Sequence, residues 1–510
     1  MKKTFVLVVL DGWGLGRNDE SNPIYIVNPK NFAWLNENFP VTSLQASGLS
    51  VGLPWGEVGN SEVGHLTLGA GKVLYQYYPK IMMAIQDKTF FSNQILKNAC
   101  EHARSNKSGI NFVGLLSKGN VHASLEHVQA LIRMAEMEKI ENIKLHLFAD
   151  GKDIPPKTLE ILLREIPKEK LATLTGRYYA MDRNKNWQLT EVAYGNLTGS
   201  EGTLIADPHE TIAATYKRGL TEEYLPPLRF GENKIIQEND AVVFFNFRED
   251  SIRQLAESFI IKGFASFPVI DFKNLFIATM TRYEDRFAVP VIFPADAVEN
   301  PLGKVVSDAG MNQLRIAETY KYAHVTFFFN GYQETPFQNE YRTLIPSASG
   351  AKVEEHPEMM AEPITDRLIE AVQSHGFDFI LVNYSNADTI AHSSNYEAGL
   401  RAVEVLDKEI GQLLKVAINP ETVLMITSDH GNVEEMINPI TALPESQHDA
   451  NPVPFYLIAP EFKGRKFTNW NSLSKETMGS LADVAPTILE LMGIRKPTEM
   501  TGRSLLEGLL

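Results

Sequence analysis

MKKTFVLVVLDGWG, residues 1–14, sets two lysines before an apolar run from Thr4 to Leu10 that stops abruptly at Asp11. Two readings compete for it. A secretory leader shares the order of charge and apolar run, but it needs a small-residue cleavage site, which is missing here, and the run is short. A strand buried on both faces reads as a continuous apolar run rather than as an alternation. The strand reading fits. Such strands belong to parallel sheets covered by helices, where ligands gather beyond the carboxyl ends of the strands. Asp11 stands at one such end.

The same pattern recurs along the chain. INFVGLL (110–116), IKLHLFA (143–149), AVVFFNF (241–247), LFIATM (275–280), FDFILVNY (377–384), TVLMIT (422–427) and VPFYLIA (453–459) are apolar runs separated by stretches of helical period. Alternation of this kind predicts an α/β fold with mainly parallel sheets. At 510 residues the chain exceeds what one hydrophobic core supports, so two domains are expected. YYPK (77–80) closes a first segment and ENPLGKVVSDAG (299–310) resembles a re-entry loop followed by a helix. The expected division is therefore 1–77 with 299–510, and an inserted unit over 78–298.

A formal net charge of −15 argues against nucleic acid or an anionic membrane as partner, since both require a basic footprint. No window is apolar over the roughly twenty residues of a membrane span. Cys100 is the single cysteine, so neither a disulfide framework nor a cysteine zinc site is expected, and a reducing cytoplasm is the natural compartment.

Chemistry concentrates at five places. Asp11 follows the first strand; NADTIAH carries Asp388 and His392; TSDHGN carries Asp429 and His430; SQHDANPVPF carries His448; and GNSEVGHLTLGAG (59–71) sets Ser61 in a frame of glycines with His65 four residues on. Mn²⁺ and Zn²⁺ accept carboxylate and imidazole together. Asp388 and His392, four apart, share one helix face and can hold one ion. Asp429 and His430 are adjacent at a strand end, so their side chains are expected to diverge toward a second ion or a bridge. For Ser61 two readings stand open: a helix N-cap with Glu62 in the first turn, or a nucleophile whose alkoxide a metal stabilises. Any one of these residues alone is an ordinary turn, cap or core residue; their joint placement at strand exits sets them apart.

Together these stretches resemble the cofactor-independent (2,3-bisphosphoglycerate-independent) phosphoglycerate mutases, a branch of the alkaline-phosphatase superfamily, from VLDGWG almost to the C-terminus. The resemblance implies an alkaline-phosphatase-like domain with a mainly parallel sheet, made from both ends of the chain, and an inserted α/β transferase domain. It implies two Mn²⁺, with Mg²⁺ or Zn²⁺ as alternatives. Asp388, His392 and His448 would hold one ion, and Asp11, Ser61, Asp429 and His430 the other. GNVHAS matches the family's substrate histidine at His122, DGKDIPP places Lys152 and Asp153, GRYYAMDR gives Arg177 and Arg183, FFNFRED gives Arg248, and ETYKYAHVTFF gives Lys321. The implied reaction interconverts 3-phosphoglycerate and 2-phosphoglycerate in glycolysis and gluconeogenesis, through phosphate carried on Ser61, with Asp153 as base, Lys321 offsetting charge, and domain closure excluding water. A cytoplasmic monomer acting on a small phosphorylated carboxylate is implied. The open alternatives are a dimetal phosphohydrolase, a mutase for another phosphorylated metabolite, or a silent binding protein that kept the fold.

The chain departs from that pattern in places. NFREDSIRQ has Ser251 where the family's NFRPDRARQ has a second arginine, and DGKD replaces DGRD, so Lys152 brings a point charge without a planar fork. Arg253, five after Arg248, is a candidate substitute for the lost arginine, although the two do not share a helix face.

Overall fold

The structure, a computed structural model, describes residues 3–348, 352–465 and 476–510. The chain forms two compact units, one of Met1–Gln76 with Asp296–Leu510 and one of Tyr77–Ala295. In chain order the first unit contributes β1 (Thr4–Leu10) and β2 (Val41–Gln45). The second holds β3 (Ile110–Leu116), β4 (Ile143–Ala149), β5 (Leu171–Gly176), β6 (Thr203–Leu204), β7 (Leu228–Arg229), β8 (Ala241–Phe244) and β9 (Phe276–Thr279). The first unit then resumes with β10 (Gln313–Glu318), β11 (Glu340–Ile345), β12 (Phe379–Tyr384), β13 (Thr422–Thr427), β14 (Val453–Ile458) and β15 (Gly479–Ser480).

Among the described residues the first unit's sheet runs β11-β10-β12-β1-β13-β14-β2-β15. The five strands from β11 to β13 are mutually parallel, whereas β14 is antiparallel to both β13 and β2. β1 lies at the centre, and its seven residues are all buried. Val6, Val8 and Leu10 face a core with Phe32, Leu406 and Leu413, while Phe5, Leu7 and Val9 face a second core with Leu68, Phe329 and Val484. Because successive side chains point to opposite faces, a strand covered on both sides must be apolar throughout, which is how this strand reads in the sequence.

The second unit's sheet runs β6-β7-β5-β4-β3-β8-β9, with β5, β4, β3, β8 and β9 parallel. One core joins Phe112, Val113, Leu145, Leu147 and Phe244 to the helices Gln94–Ser105 and Leu125–Met137 through Leu96, Val128 and Leu131.

Several strands differ from the sequence reading. β8 ends at Phe244 rather than 247, because the Asn246 side chain takes over the ladder by accepting from the Leu115 N–H at 2.9 Å. β2, β5, β10 and β11 were not legible as apolar runs. β10 reads QLRIAE, yet it is fully buried: Arg315 lies inside, its guanidinium 5.1 Å and 5.3 Å from the ring centroids of Phe329 and Phe379. Among the described residues no helix is long and apolar enough to cross a membrane.

Candidate active site and metal centre

Parallel strands place their carboxyl ends along one sheet edge, and in the first unit that edge collects the polar residues. β1 leads into Asp11; β12 into the helix Asn386–Ala391 with Asp388; β13 into Ser428, Asp429 and His430; and β10 into the single turn Thr319–Lys321. His448 precedes β14, whose antiparallel course begins at the same edge. The close packing depends on glycine at two positions. Gly12 has φ +73°, and a Cβ there would meet the Asp388 Cα at 2.8 Å; a Cβ on Gly64 would meet the Asp429 carbonyl oxygen at 2.5 Å.

Ser61 is the first residue of the helix Ser61–Ala70, but it is not the cap. Asn60 is: its side chain accepts from the Val63 N–H at 3.0 Å. The Ser61 hydroxyl is thereby released to the cluster, where it donates to Asp11 Oδ1 at 3.0 Å, accepts from Lys321 Nζ at 2.6 Å and lies 3.0 Å from His430 Nε2. Lys321 Nζ also donates to Asp11 Oδ1 at 2.6 Å and Asp388 Oδ2 at 2.7 Å.

Asp388, His392 and His448 converge. Each imidazole Nε2 is 3.2 Å from Asp388 Oδ1, and the two Nε2 atoms are 3.1 Å apart. Their Nδ1 atoms face carbonyl oxygens, His392 that of Ser446 at 2.8 Å and His448 that of Gly59 at 2.7 Å. A carbonyl only accepts, so each Nδ1 carries its ring's proton and, in the neutral ring, each Nε2 presents a lone pair. Two lone pairs and a carboxylate oxygen aimed at one point are a cation site. Around Ser61, three carboxylates (Asp11, Asp388 and Asp429) face the single ammonium of Lys321. Burial raises the carboxyl of Asp388, but Lys321, His392, His448 and His430 outweigh it and hold it well below the usual range. His430 is pushed up to about 10: burial opposes the shift, but Asp429, Asp11 and Asp388 dominate. The carboxylates thus favour positive charge at the imidazole, a proton where nothing else supplies it. The donor set fits divalent cations of the kind that accept both oxygen and imidazole nitrogen.

One expectation is corrected here. Asp429 and His430 do not diverge; Asp429 Oδ2 lies 3.7 Å from His430 Nε2, and both face the cluster that holds Asp11. Adjacent side chains alternate only while the strand continues, and β13 ends at Thr427.

The second unit repeats the scheme at the carboxyl ends of β3, β4, β5 and β8. His122 Nδ1 is 2.8 Å from Asp153 Oδ2, and its Nε2 is 3.3 Å from Ser251 Oγ. Arg177, which follows β5, donates from one nitrogen to Asp150 Oδ1 at 2.6 Å and Asp153 Oδ1 at 2.8 Å, and it is buried. Asp153 sits below the usual carboxylate range; burial acts against this, but His122 and Arg177 prevail. Asp250 gathers the exposed arginines, accepting from Arg183 at 2.7 Å and lying 3.3 Å from Arg248 Nε. Lys152 is exposed, and no described carboxylate pairs with it.

Ser251 is buried where the family pattern has an arginine; it donates to Asp250 Oδ1 at 3.0 Å. Arg253 is engaged elsewhere, with Glu249 3.3 Å from its guanidinium. Its Nε donates to the Tyr283 carbonyl at 2.9 Å, and it opens the helix Arg253–Ile260.

The family model described as the Metalloenzyme superfamily matches residues 3–496. The 2,3-bisphosphoglycerate-independent phosphoglycerate mutase 1 of Methanosarcina barkeri is 41% identical over 519 residues, covering 99% of this chain and 98% of that protein. The chain belongs to the 2,3-bisphosphoglycerate-independent phosphoglycerate mutase family. The Clostridium tetani member is 40% identical over 519 residues, covering 99% of both chains. A crystal structure of Leishmania mexicana phosphoglycerate mutase at low cobalt concentration aligns with TM-score 0.54 at 25% identity over 99% of this chain and 97% of that one.

Several hydrogen-bond partners of these residues were not read from the sequence. Asn432 donates to Asp388 Oδ1 at 2.8 Å, Asn383 donates to Asp11 Oδ2 at 2.7 Å, and Asp150 and Asp250 carry the arginines. Asn432, Asp150 and Asp250 lie inside quoted motifs, and Asn383 within a strand, but nothing local shows which distant atom each one meets.

Proposed function

We propose that this mutase interconverts 3-phosphoglycerate and 2-phosphoglycerate through phosphate carried on Ser61, with two divalent ions, Mn²⁺ ahead of Mg²⁺ or Zn²⁺, held by Asp388, His392 and His448 and by Asp11, Ser61, Asp429 and His430. The reading rests on one observation: a serine hydroxyl released from capping lies within hydrogen-bond reach of Asp11, Lys321 and His430 at the start of a ten-residue helix. The bound ions would stabilise the alkoxide of Ser61 and polarise the phosphoryl group.

The chain's own residues account for the rest. Lys321 offsets negative charge on the transferring group, and the first turn of the Ser61 helix presents backbone N–H groups toward it. In the second unit Lys152, Arg183 and Arg248 supply cations for the substrate's anionic groups. Asp153, kept ionised by His122 and Arg177, takes the proton of the glycerate hydroxyl that attacks the phosphoserine. Water must be excluded while the phosphoserine exists. The setting of this reading is a cytoplasmic monomer in glycolysis and gluconeogenesis.

Incubating the protein with Mn²⁺ and 3-phosphoglycerate, and following 2-phosphoglycerate and free phosphate together, tests the proposal. Mutase action yields the first without the second and stops on chelation; free phosphate as the main product would favour a phosphohydrolase.

A pH profile tests the role of Asp153. Its folded pKa is depressed, so its base form, and the stability its pairs contribute, are present above the unfolded value of about 3.9 and are lost as pH falls through the folded value. Arg177→Met removes one of the two lowering partners. The acidic limb of kcat/KM is expected to move to higher pH, and an unmoved limb would take the proton-transfer role from Asp153.

A further inference from the structure

His65 stands four residues after Ser61, fully buried in the same helix, and one of its nitrogens lies within 4.8 Å of carboxylate oxygens of both Asp11 and Asp429. That proximity alone would make it a metal ligand. Its hydrogen bonds say otherwise. His65 Nδ1 is hydrogen-bonded to the Ser61 carbonyl at 2.9 Å, an acceptor, so Nδ1 carries the proton, and the Asp429 carboxylate, with Oδ2 3.1 Å away, favours it there electrostatically. Nε2 lies 3.0 Å from Asn383 Nδ2, an amide nitrogen that only donates, so the Nε2 lone pair is taken. The second hydrogen of that amide goes to Asp11 Oδ2 at 2.7 Å. No lone pair is left for an ion.

We propose that His65 and Asn383 are positioning residues: a strut hydrogen-bonded from Asp11 through Asn383 and His65 to the Ser61 backbone, with Asp429 in electrostatic contact with His65 Nδ1 at 3.1 Å, which sets the spacing of two carboxylates and the nucleophile around the ion they share. The strut is assembled from four separate segments, the helix after Ser61, the interior of β12, the exit of β1 and the exit of β13. It is closed to bulk solvent, since His65, Asn383, Asp11 and Asp429 are all fully buried. Its polarity is fixed at each link, because the amide has donors on one side only and the imidazole one donor and one acceptor. Partners of this kind that orient ligands typically change metal affinity or activity by about 10–100-fold when removed.

The inference rests on the proposed metal centre, and the experiment separates the two. Mn²⁺ stoichiometry at saturation, Mn²⁺ affinity by chelator competition, and kcat and KM for 3-phosphoglycerate are measured for the wild-type protein, His65→Ala, His65→Asn and Asn383→Ser, with circular dichroism to confirm folding. Wild-type protein that binds no Mn²⁺ would defeat the metal reading itself. The strut predicts that His65→Ala keeps the wild-type stoichiometry at saturation, binds one ion about 10–100-fold more weakly, and loses kcat with KM little changed. His65→Asn, whose amide can donate from near the position of Nδ1 but offers no acceptor at the position of Nε2, keeps the link to Ser61 and loses the one to Asn383, and so recovers part of both. Loss of one ion at saturation would make His65 a ligand, and unchanged affinity and kcat would make it a spectator; either result overturns the proposal. If His65→Ala does not fold, Asn383→Ser, which removes only the middle link, is judged by the same outcomes.

Discussion

Ser61→Ala lowers conversion of 3-phosphoglycerate by on the order of 10⁴-fold or more and leaves a folded protein. The asymmetry follows from the local structure. Asn60 caps the helix, so the hydroxyl of Ser61 contributes nothing to capping, and alanine is at least as good a helix former as serine. Lys321 loses one of three acceptors but keeps Asp11 and Asp388. The change removes the proposed nucleophile, and with it one proposed ligand of the second ion, while the helix and the Lys321 pairs remain. Two measurements are decisive: turnover, and phosphate retained on the protein after quenching during reaction, which is expected in wild-type protein and absent from the variant. Turnover of the variant at the wild-type rate would eliminate the covalent step.

Asp388→Ala is expected to cost the protein one divalent ion per chain and to reduce turnover about as severely. One oxygen of this carboxylate meets His392, His448 and Asn432, and the other meets Lys321. Without it, two imidazole lone pairs remain, and affinity should fall further than the roughly 10–100-fold seen for groups that only orient ligands. Against burial, Lys321, His392, His448 and His430 hold this carboxyl well below the usual range, so above the unfolded value of about 3.9 its charge stabilises the metal-free fold as well. Metal-free Asp388→Ala should therefore melt below metal-free wild-type protein near neutral pH, and the rise in Tm on adding Mn²⁺ should shrink as well, because stabilisation by a ligand follows its affinity for the folded state. An undiminished rise with unchanged stoichiometry would remove Asp388 from the ligand set.

The two cases show what was legible and why. Strands buried on both faces announce themselves, since burial without alternation demands a continuous apolar run; β1, β3, β4 and β13 have in the structure the bounds they have in the sequence. β10 was hidden because Gln313, Arg315 and Glu318 interrupt it, and their burial is compensated by groups elsewhere in the chain, such as the rings of Phe329 and Phe379 and the hydroxyls of Ser347 and Ser385. The family resemblance was legible for the same local reason: DGWG, NADTIAH and TSDHGN are short, contiguous and rich in chemistry.

From the sequence by itself follow the α/β class, the two-domain scale, the edge of the sheet at which to look for chemistry, and the membership in a mutase family. Each depends on residues near one another in the chain, or on a pattern repeated along it. Only the tertiary structure decided that Asn60 rather than Ser61 caps the helix, that Asp429 and His430 turn the same way, that Arg177 is spent on two aspartates, and that His65 has no lone pair to give. Those outcomes depend on which atom, often hundreds of residues away, occupies the other end of a hydrogen bond. A side chain's identity fixes what it can donate or accept; only the packed fold fixes to whom.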